Sequence, residues 1–328
     1  MVESFGLRYD SVDSAYLDCL NDNLAVLLLH VGVADVRTPF ACQWYFDVDL
    51  ASPTRLITVE HTPAEALIRQ QTGCVLEWHE FERDSFTATC ESFVRDNQPV
   101  LIFGDAYFMP WLPYFGREHM EHTFIVDGVS ADQRLLHLVD AYANKTEWGE
   151  ATPTETYLPA MALARIVQSL DTARSGAFLL VKQAEQPAVI DHPALLRHNA
   201  AQILAQLRDK ARLSDFSHYY ASNVADVAAI KQFVLDCWLI ARSRALHGLW
   251  LADVARDQPD LLDAAFVEAF AQDVVTPWQR VNEFAYILFR RVSQGRAAPD
   301  ACFRMIEQTI QPNEVRVAEL LAERLRSG

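Results

Sequence analysis

A cysteine near the start of the chain and a histidine–aspartate pair roughly one hundred residues later are the residues with the most evident chemistry. Cys19 opens a long apolar run, His122 opens a second, and Asp140 ends a third. Cysteine attacks as its thiolate, histidine can take and return the thiol proton, and a carboxylate can hold the imidazole in one tautomer. If the three side chains meet, the chain has the parts of an enzyme that works through a thioester.

The first of these residues lies where a helix should begin. The apolar run 17–31 predicts a buried helix, and Gly32 is placed to end it. Unpaired amides and the helix dipole at such an N-terminus favour a thiolate. Asn21 and Asn23 follow on the same helix, where each is a candidate hydrogen-bond donor to an oxyanion or simply a polar helix residue.

The other two residues belong to a predicted hairpin. Residues 122–126 and 135–139 predict strands, joined by the turn-forming segment 127–133. In a hairpin the start of one strand lies beside the end of the next, so we expect His122 and Asp140 to be adjacent. On spacing alone, a buried structural thiol and surface histidines remain the commoner interpretation.

The remaining pattern divides the chain into two parts. The first half predicts helices over 62–71 and 84–97 and a strand over 99–104, which together with the hairpin indicate an α+β domain. In the second half, helical spacing covers 155–170, 193–213, 224–246, 261–270, 276–292 and 313–326, with one short strand pattern over 176–181. We therefore expect an α+β domain over 1–158 and an all-helical domain over 159–328.

The negative charge of this 328-residue chain is concentrated in the first half. Residues 1–158 carry 9 Lys and Arg against 25 Asp and Glu, whereas residues 159–328 carry 19 of each. This difference supports a boundary near residue 158. It also argues against nucleic-acid binding by the first half, because phosphates require a basic surface.

Several classes of protein are disfavoured by absent motifs. The six cysteines include no CxxC pair, no zinc-ligand spacing occurs, and phosphate-binding glycine motifs are missing. The first residues lack the pattern of a signal peptide, and no apolar run approaches the roughly 20 residues that span a bilayer. We expect a cytoplasmic protein that binds neither membranes nor metal.

The chemistry-bearing segments resemble the N-terminal domain of the butirosin biosynthesis protein H family, which is related to the papain-like double-glycine peptidases. The resemblance covers roughly residues 10–150 and rests on Cys19 with its helix, the stretch 99–107, Leu112-Pro113-Tyr114, His119, His122, 125–128 and Val139-Asp140. Two places depart from the family pattern. Val129-Ser130 replaces a frequent aromatic residue, and Ala141 stands where proline often follows the aspartate.

The resemblance implies a papain-like cysteine-protease fold, with N-terminal helices and an antiparallel sheet, followed by a helical domain. It implies Cys19 as nucleophile, His122 as base and Asp140 as the group that orients the base. The family places its base immediately before the apolar strand, which favours His122 over His119. The backbone amide of Cys19 is then the usual oxyanion donor.

Three further residues are candidates for a substrate-binding role. His119 could hydrogen bond within the site or face solvent. Asp105 and Tyr107 belong, with the aromatic segment 111–114, either to the wall of an acyl or pantetheine channel or to a packed loop.

The implied activity is transfer of an acyl or aminoacyl group from a carrier-protein thioester to an amine, as in natural-product biosynthesis. The implied partners are an acyl or peptidyl carrier protein and a small-molecule amine, without a metal or organic cofactor. A thioesterase or cysteine peptidase with the same triad, a cyclising enzyme, and a catalytically silent binding module remain alternatives.

The helical half is the part that we expect to meet other proteins. Carrier proteins are typically acidic, so the first half would repel them. Docking is expected on the second half, where Arg242, Arg244, Arg290 and Arg291 offer positive charge or form ordinary surface pairs. Assembly of a homo-oligomer through the same half is a further expectation.

Overall fold

A computed structural model describes residues 2–52, 56–80, 85–96, 98–130, 135–168, 177–297 and 299–327. It combines helices with an antiparallel sheet, which confirms the α+β class. The chain forms two compact units, each made of two segments. The first unit contains Met1–Pro39 and Glu65–Ala188, and the second contains Phe40–Ala64 and Val189–Gly328.

The elements are numbered along the chain. The strands are β1 (Val2–Ser4), β2 (Asp47–Val48), β3 (Ile57–Thr58), β4 (Cys74–Glu80), β5 (Val100–Asp105), β6 (Glu121–Ser130), β7 (Leu135–Asp140), β8 (Asn144–Thr146), β9 (Gly149–Ala151), β10 (Thr154–Pro159) and β11 (Ala177–Gln183). The helices are α1 (Cys19–His30), α2 (Thr38–Ala41), α3 (Ala64–Thr72), α4 (Phe86–Arg95), α5 (Ala160–Gln168), α6 (His192–Ile203), α7 (Arg212–Ser222), α8 (Val227–Asp257), α9 (Ala264–Phe270), α10 (Thr276–Ser293), α11 (Ala301–Met305) and α12 (Gln311–Ser327).

The first unit is organised around one antiparallel sheet with the strand order β10-β7-β6-β5-β11-β4. β1 also pairs with β6, from Gly128 to Ser130. Every residue of β5 is buried, as the continuous apolar run at 99–104 indicated. The predicted hairpin is present as β6 and β7, with a bulge between Val126 and Gly128.

Helix α1 begins and ends where the sequence placed it. The Asp18 carboxylate caps the first turn by accepting a hydrogen bond from the backbone N–H of Asn21 at 2.8 Å. Gly32, with φ of +93°, turns the chain out of the helix in a conformation that favours glycine. The apolar residues from Leu24 to Leu28 are buried, and the helix contacts β6.

Two expectations about the middle of the chain differ from the structure. The helix predicted over 155–170 begins only at Ala160, because the preceding residues form β10 and pair with β7 from Thr154 to Pro159. The expected boundary at residue 158 falls inside this strand. The short strand pattern at 176–181 is β11, which pairs with β4 and β5 in the same sheet. Backbone pairing, rather than the change in charge, therefore determines where the first unit ends.

Parts of four sequence predictions lie outside the described residues. These are positions 84 and 97 at the ends of the predicted helix that contains α4, positions 131–133 in the hairpin connection, positions 169–170 at the end of the predicted helix that contains α5, and position 176 before β11.

The second unit is mainly helical, with a small ladder formed by β2 and β3. The helix predicted over 224–246 is longer than expected, since α8 has 31 residues. α9 and α10, predicted as separate helices, are joined through a π-helical segment at Ala271–Val275, and α11 and α12 are joined in the same way at Ile306–Ile310. Within the described residues, no helix combines the length and apolar character needed to cross a membrane.

A buried ion pair lies in the core of the second unit. Arg244 on α8 donates to both carboxylate oxygens of Glu314 on α12, at 3.0 and 3.1 Å. The indole N–H groups of Trp44 and Trp278 donate to the same carboxylate at 2.8 and 2.6 Å, and the carbonyl of Tyr45 accepts a third hydrogen bond from Arg244. Both charged residues are fully buried. The expectation that Arg244 offers surface charge is wrong, because its charge is neutralised inside the core.

Candidate active site

The three residues singled out by their chemistry lie together at one end of the first unit. Cys19 is the first residue of α1, His122 is the second residue of β6, and Asp140 is the last residue of β7. The Cys19 sulfur lies close enough to the His122 ring to raise the pKa of that ring. His122 Nε2 donates to Asp140 Oδ2 at 2.8 Å. Because Nε2 is taken by the carboxylate, Nδ1 is the ring nitrogen that serves the thiol.

Burial sets the electrostatics of this group. His122 and Asp140 are 1% and 3% exposed, while Cys19 is half-buried. Burial acts to lower the pKa of His122, but the Asp140 carboxylate and the Cys19 sulfur outweigh it, so this pKa is raised well above its ordinary value. A raised pKa of His122 favours an imidazolium beside a thiolate, which is the reactive form of a cysteine nucleophile.

The start of α1 contributes two opposing charges. Its first amides, including that of Cys19, have no acceptor inside the helix and favour negative charge nearby. Asp18, one residue earlier, puts a carboxylate at the same terminus. Because that carboxylate disfavours a second negative charge, the imidazolium of His122 has to supply most of the stabilisation of a thiolate.

Asn23 ties the three elements of the site together. Its side-chain amide donates to the backbone carbonyls of Cys19 and Thr123, each at 2.9 Å, and its oxygen accepts from the backbone N–H of Ala141 at 3.1 Å. The Thr123 hydroxyl adds a hydrogen bond of 2.6 Å to the Cys19 carbonyl. α1, β6 and the end of β7 are thereby held in one register. A proline at position 141 would lack the N–H that Asn23 requires.

These contacts change the interpretation of Asn21 and Asn23, the two side chains considered as hydrogen-bond donors to an oxyanion. Asn23 is fully buried, and both of its amide hydrogens are directed at carbonyls. Its role is therefore positional. The side-chain amide of Asn21 lies 3.4 Å from the Asp18 carboxylate that caps the helix. The backbone N–H of Cys19 remains the candidate donor to an oxyanion.

Two aromatic residues, Trp111 and Tyr142, donate hydrogen bonds to the Asp140 carboxylate. The indole N–H of Trp111 donates to Asp140 Oδ2 at 2.9 Å, and the backbone N–H of Tyr142 donates to Oδ1 at 3.1 Å. The Tyr142 ring meets the His122 ring edge-on at 5.1 Å, and Trp111 packs edge-on against Phe124. Asp140 is thus buried with three hydrogen-bond donors at its carboxylate, which fixes the orientation of this group towards His122.

The sequence-predicted residues Asp105, Tyr107 and His119 form a separate group. Asp105 is fully buried and accepts from the backbone N–H of Tyr107 at 3.0 Å. His119 Nδ1 donates to its other oxygen at 2.7 Å. The His119 ring is stacked on Tyr107 with 4.1 Å between centroids, and 59% of its side chain is exposed. His119 therefore both hydrogen bonds and faces solvent.

Sequence reasoning missed the parts played by Thr123, Trp111 and Tyr142. Trp111 was noted only as one member of an aromatic segment, and the other two were not singled out. One local signal was available, since a buried asparagine within the apolar run of α1 requires polar partners. Those partners lie far along the chain and are found only through the fold.

Replacing Asn23 with alanine should lower both the stability and the reactivity of the site. The change leaves two buried carbonyls and one N–H without this partner, at a cost of about 1–3 kcal/mol each where water cannot replace it. We expect a lower urea midpoint and slower alkylation of Cys19 by iodoacetamide. Asn199→Ala is the matched control, because buried Asn199 donates to the Cys42 carbonyl in the second unit. This control should lose stability only, and equal alkylation rates in both variants would contradict the positioning role.

No metal-binding arrangement accompanies the site. Among the residues that the structure describes, no three His, Cys, Asp or Glu side chains are grouped so as to hold a metal ion. A comparison with protein-family models and a search of curated proteins both found no match to this chain.

Proposed function

We propose that this chain is a cysteine-dependent acyltransferase, which takes an acyl or aminoacyl group from a carrier-protein thioester and passes it to an amine. The observation that carries the proposal is the position of Cys19 beside His122, whose ring is hydrogen bonded to Asp140. This is the arrangement of a nucleophile, a proton-transfer group and an orienting carboxylate. The resemblance to the butirosin-type family supports a papain-like fold, a thioester donor and an amine acceptor.

The first step is attack by the Cys19 thiolate on the carbonyl carbon of the thioester. A new carbon–sulfur bond forms, and the negative charge passes to the carbonyl oxygen, for which the backbone N–H of Cys19 is the proposed hydrogen-bond donor. The bond to the carrier sulfur then breaks. The His122 imidazolium gives its Nδ1 proton to that leaving sulfur, so the enzyme becomes acylated and His122 becomes neutral.

The second step transfers the acyl group to the amine. The neutral amine attacks the carbonyl carbon of acyl-Cys19, and its proton passes to Nδ1 of His122. The carbon–sulfur bond breaks, which releases the amide and restores the thiolate–imidazolium pair. Asp140 holds His122 in the same orientation throughout. The thioester already stores the energy of the new amide, so the reaction needs no ATP.

Intact-mass detection of an acyl adduct tests this function directly. We expect that incubating the protein with an N-acetylcysteamine acyl thioester adds one acyl group, which a primary amine then removes as an amide. Cys19→Ala should form no adduct, because the nucleophile is absent. Cys302→Ala is the matched control, since this buried thiol has a pKa raised to about 11 by burial, and it should retain the adduct.

Other results of the acyl-adduct experiment would each indicate a different conclusion about the protein. An adduct that persists in Cys19→Ala would overturn the assignment of the nucleophile. Loss of the adduct to water, with no amide formed in the presence of amines, would identify a thioesterase or peptidase. A Cys19 thiol that forms no adduct and alkylates only with the pH dependence of an ordinary thiol, pKa about 8.5, would indicate a silent binding module.

A further inference from the structure

The first unit contains a second histidine–carboxylate pair that the proposed mechanism does not use. The Asp105 carboxylate is completely buried, and its two oxygens accept hydrogen bonds from His119 and from the backbone of Tyr107. Taking a carboxylate out of water is costly unless its partners compensate. Within the described residues, its side-chain partner is His119, whose own side chain is 59% exposed.

This pair lies at the same end of the sheet as the triad. β5 and β6 are paired so that Gly104 faces His122 and Asp105 faces Glu121. His119 precedes His122 by three residues, so the chain allows at most about 11 Å between their Cα atoms. The two imidazoles differ sharply in access. His122 is 1% exposed and is bound to Asp140 through Nε2, whereas His119 is open to solvent and is bound to Asp105 through Nδ1.

Amide formation from a thioester has to dispose of two protons. An alkylamine, with a pKa near the lysine value of about 10.4, reaches the enzyme as an ammonium ion at neutral pH. One proton must leave before the nitrogen can attack, and a second leaves as the amide forms. His122 can accept only one of them, the second, which restores the thiolate–imidazolium pair. The first proton needs another acceptor that communicates with solvent.

We propose that His119, oriented by Asp105, is the base that deprotonates the ammonium form of the acceptor amine. The inference rests on the proposed acyl transfer. Nε2 of His119 takes a proton from R–NH₃⁺, which leaves R–NH₂ for attack on acyl-Cys19, and the His119 imidazolium then releases that proton to water. Asp105 fixes the tautomer that presents Nε2 as the acceptor, since Nδ1 carries the proton donated to the carboxylate.

The side chains around His119 hold its ring in one orientation, as a base that accepts a proton from a bound amine requires. The stacked Tyr107 ring and the edge of Phe108 hold the imidazole plane. Arg165 on α5 lies over the Phe108 ring at 4.4 Å, and Glu118 and Glu121 flank His119 along the chain. Asp105, Glu118 and Glu121 outnumber Arg117 and Arg165 here by one charge, and this small negative excess favours a cationic acceptor over an anionic one.

Two amines of different basicity test the proposal on the same acyl-enzyme. Acyl-Cys19 is formed first and quantified by intact mass, and its rate of aminolysis is then measured with an alkylamine and with hydroxylamine. Hydroxylamine is weakly basic and largely unprotonated at neutral pH, so it does not need His119. We expect His119→Asn to slow aminolysis by the alkylamine about 10- to 100-fold at pH 7 relative to hydroxylamine. The alkylamine rate should recover as the pH is raised.

Asp105→Asn should slow aminolysis by the alkylamine relative to hydroxylamine in the same way. Without the carboxylate, His119 can adopt the tautomer in which Nε2 carries the proton and cannot accept another. His218→Asn is the control, since His218 is an exposed histidine beside Glu307 in the second unit, and it should leave the ratio of the two rates unchanged. Equal slowing of both amines in His119→Asn, or no slowing of either, would overturn this role while acyl transfer stands. Absence of any acyl adduct in the unaltered protein would instead reject the acyltransferase itself.

Discussion

Replacing Asp140 with asparagine is expected to slow alkylation of Cys19 by iodoacetamide at pH 6 by about 10- to 1,000-fold. The physical reason is the balance that sets the pKa of His122. Burial lowers this pKa, and the Asp140 carboxylate is the first of the opposing influences that raise it. A carboxylate at this distance raises a pKa by about 1–3 units, so its removal reduces the thiolate–imidazolium pair by the corresponding factor.

The direction in which the pH profile of Cys19 alkylation moves follows from the same influences on the pKa of His122. In the unaltered protein, the raised pKa of His122 keeps the ring protonated, and an imidazolium is the form of the ring that stabilises a neighbouring thiolate. Without the carboxylate, burial dominates and the ring loses its proton at lower pH. The alkylation profile of Asp140→Asn should therefore move to higher pH, towards that of an ordinary thiol.

A matched control exists in the same hairpin. Asp127 on β6 is a buried carboxylate that bonds His137 Nδ1 at 2.5 Å, and its own pair does not include Cys19. Asp127→Asn should leave the pH profile of Cys19 alkylation in place, although it removes a buried charge of the same kind. An unshifted profile in Asp140→Asn, or an equal shift in both variants, would contradict the role given to Asp140.

Replacing Glu314 with glutamine should destabilise the protein by about 3–5 kcal/mol, because it leaves Arg244 as an uncompensated buried charge. The glutamate accepts four hydrogen bonds, two from this arginine and one from each of Trp44 and Trp278. A glutamine would direct an NH₂ group at some of these donors. Urea unfolding of the full chain, followed by circular dichroism, measures the loss as a lower midpoint.

Glu319 provides the control for this substitution. It lies on the same helix, five residues further on, is 48% exposed, and is 3.7 Å from Arg208. Exposed pairs of this kind contribute about 0–1 kcal/mol, so Glu319→Gln should unfold close to the unaltered protein. Similar midpoints for the two variants would show that the buried pair does not hold the helices of the second unit together.

Local sequence patterns predicted much of the first unit because its apolar runs and turn-forming residues are pronounced. The apolar run at 17–31, followed by Gly32, predicted a buried helix, and the structure has one at Cys19–His30. The run at 99–104 became a fully buried strand for the same reason. Residues 155–159 were assigned to a helix because helix-compatible spacing carries no information about β7, the strand with which they pair.

The candidate site shows the same division between local and distant information. Hairpin geometry was enough to place His122 beside Asp140, and the structure has them 2.8 Å apart. Nothing in the local pattern indicated that Trp111 would donate a hydrogen bond to the Asp140 carboxylate. Nor did it indicate that Asn23 would hydrogen bond to backbone groups 100 and 118 residues further along the chain. Such contacts depend on how whole elements pack.

The sequence by itself determined the residue types that can do chemistry, the helix that begins at Cys19 and the hairpin that joins His122 to Asp140. Each of these depends on apolar periodicity, a cap or a turn within a few residues. Only the tertiary structure decided that the thiol meets the imidazole, that Asn23 is a positional residue, and that Arg244 is buried. Those outcomes depend on the burial of groups far apart in the chain, where a charge or amide is tolerated only when the fold supplies its partners.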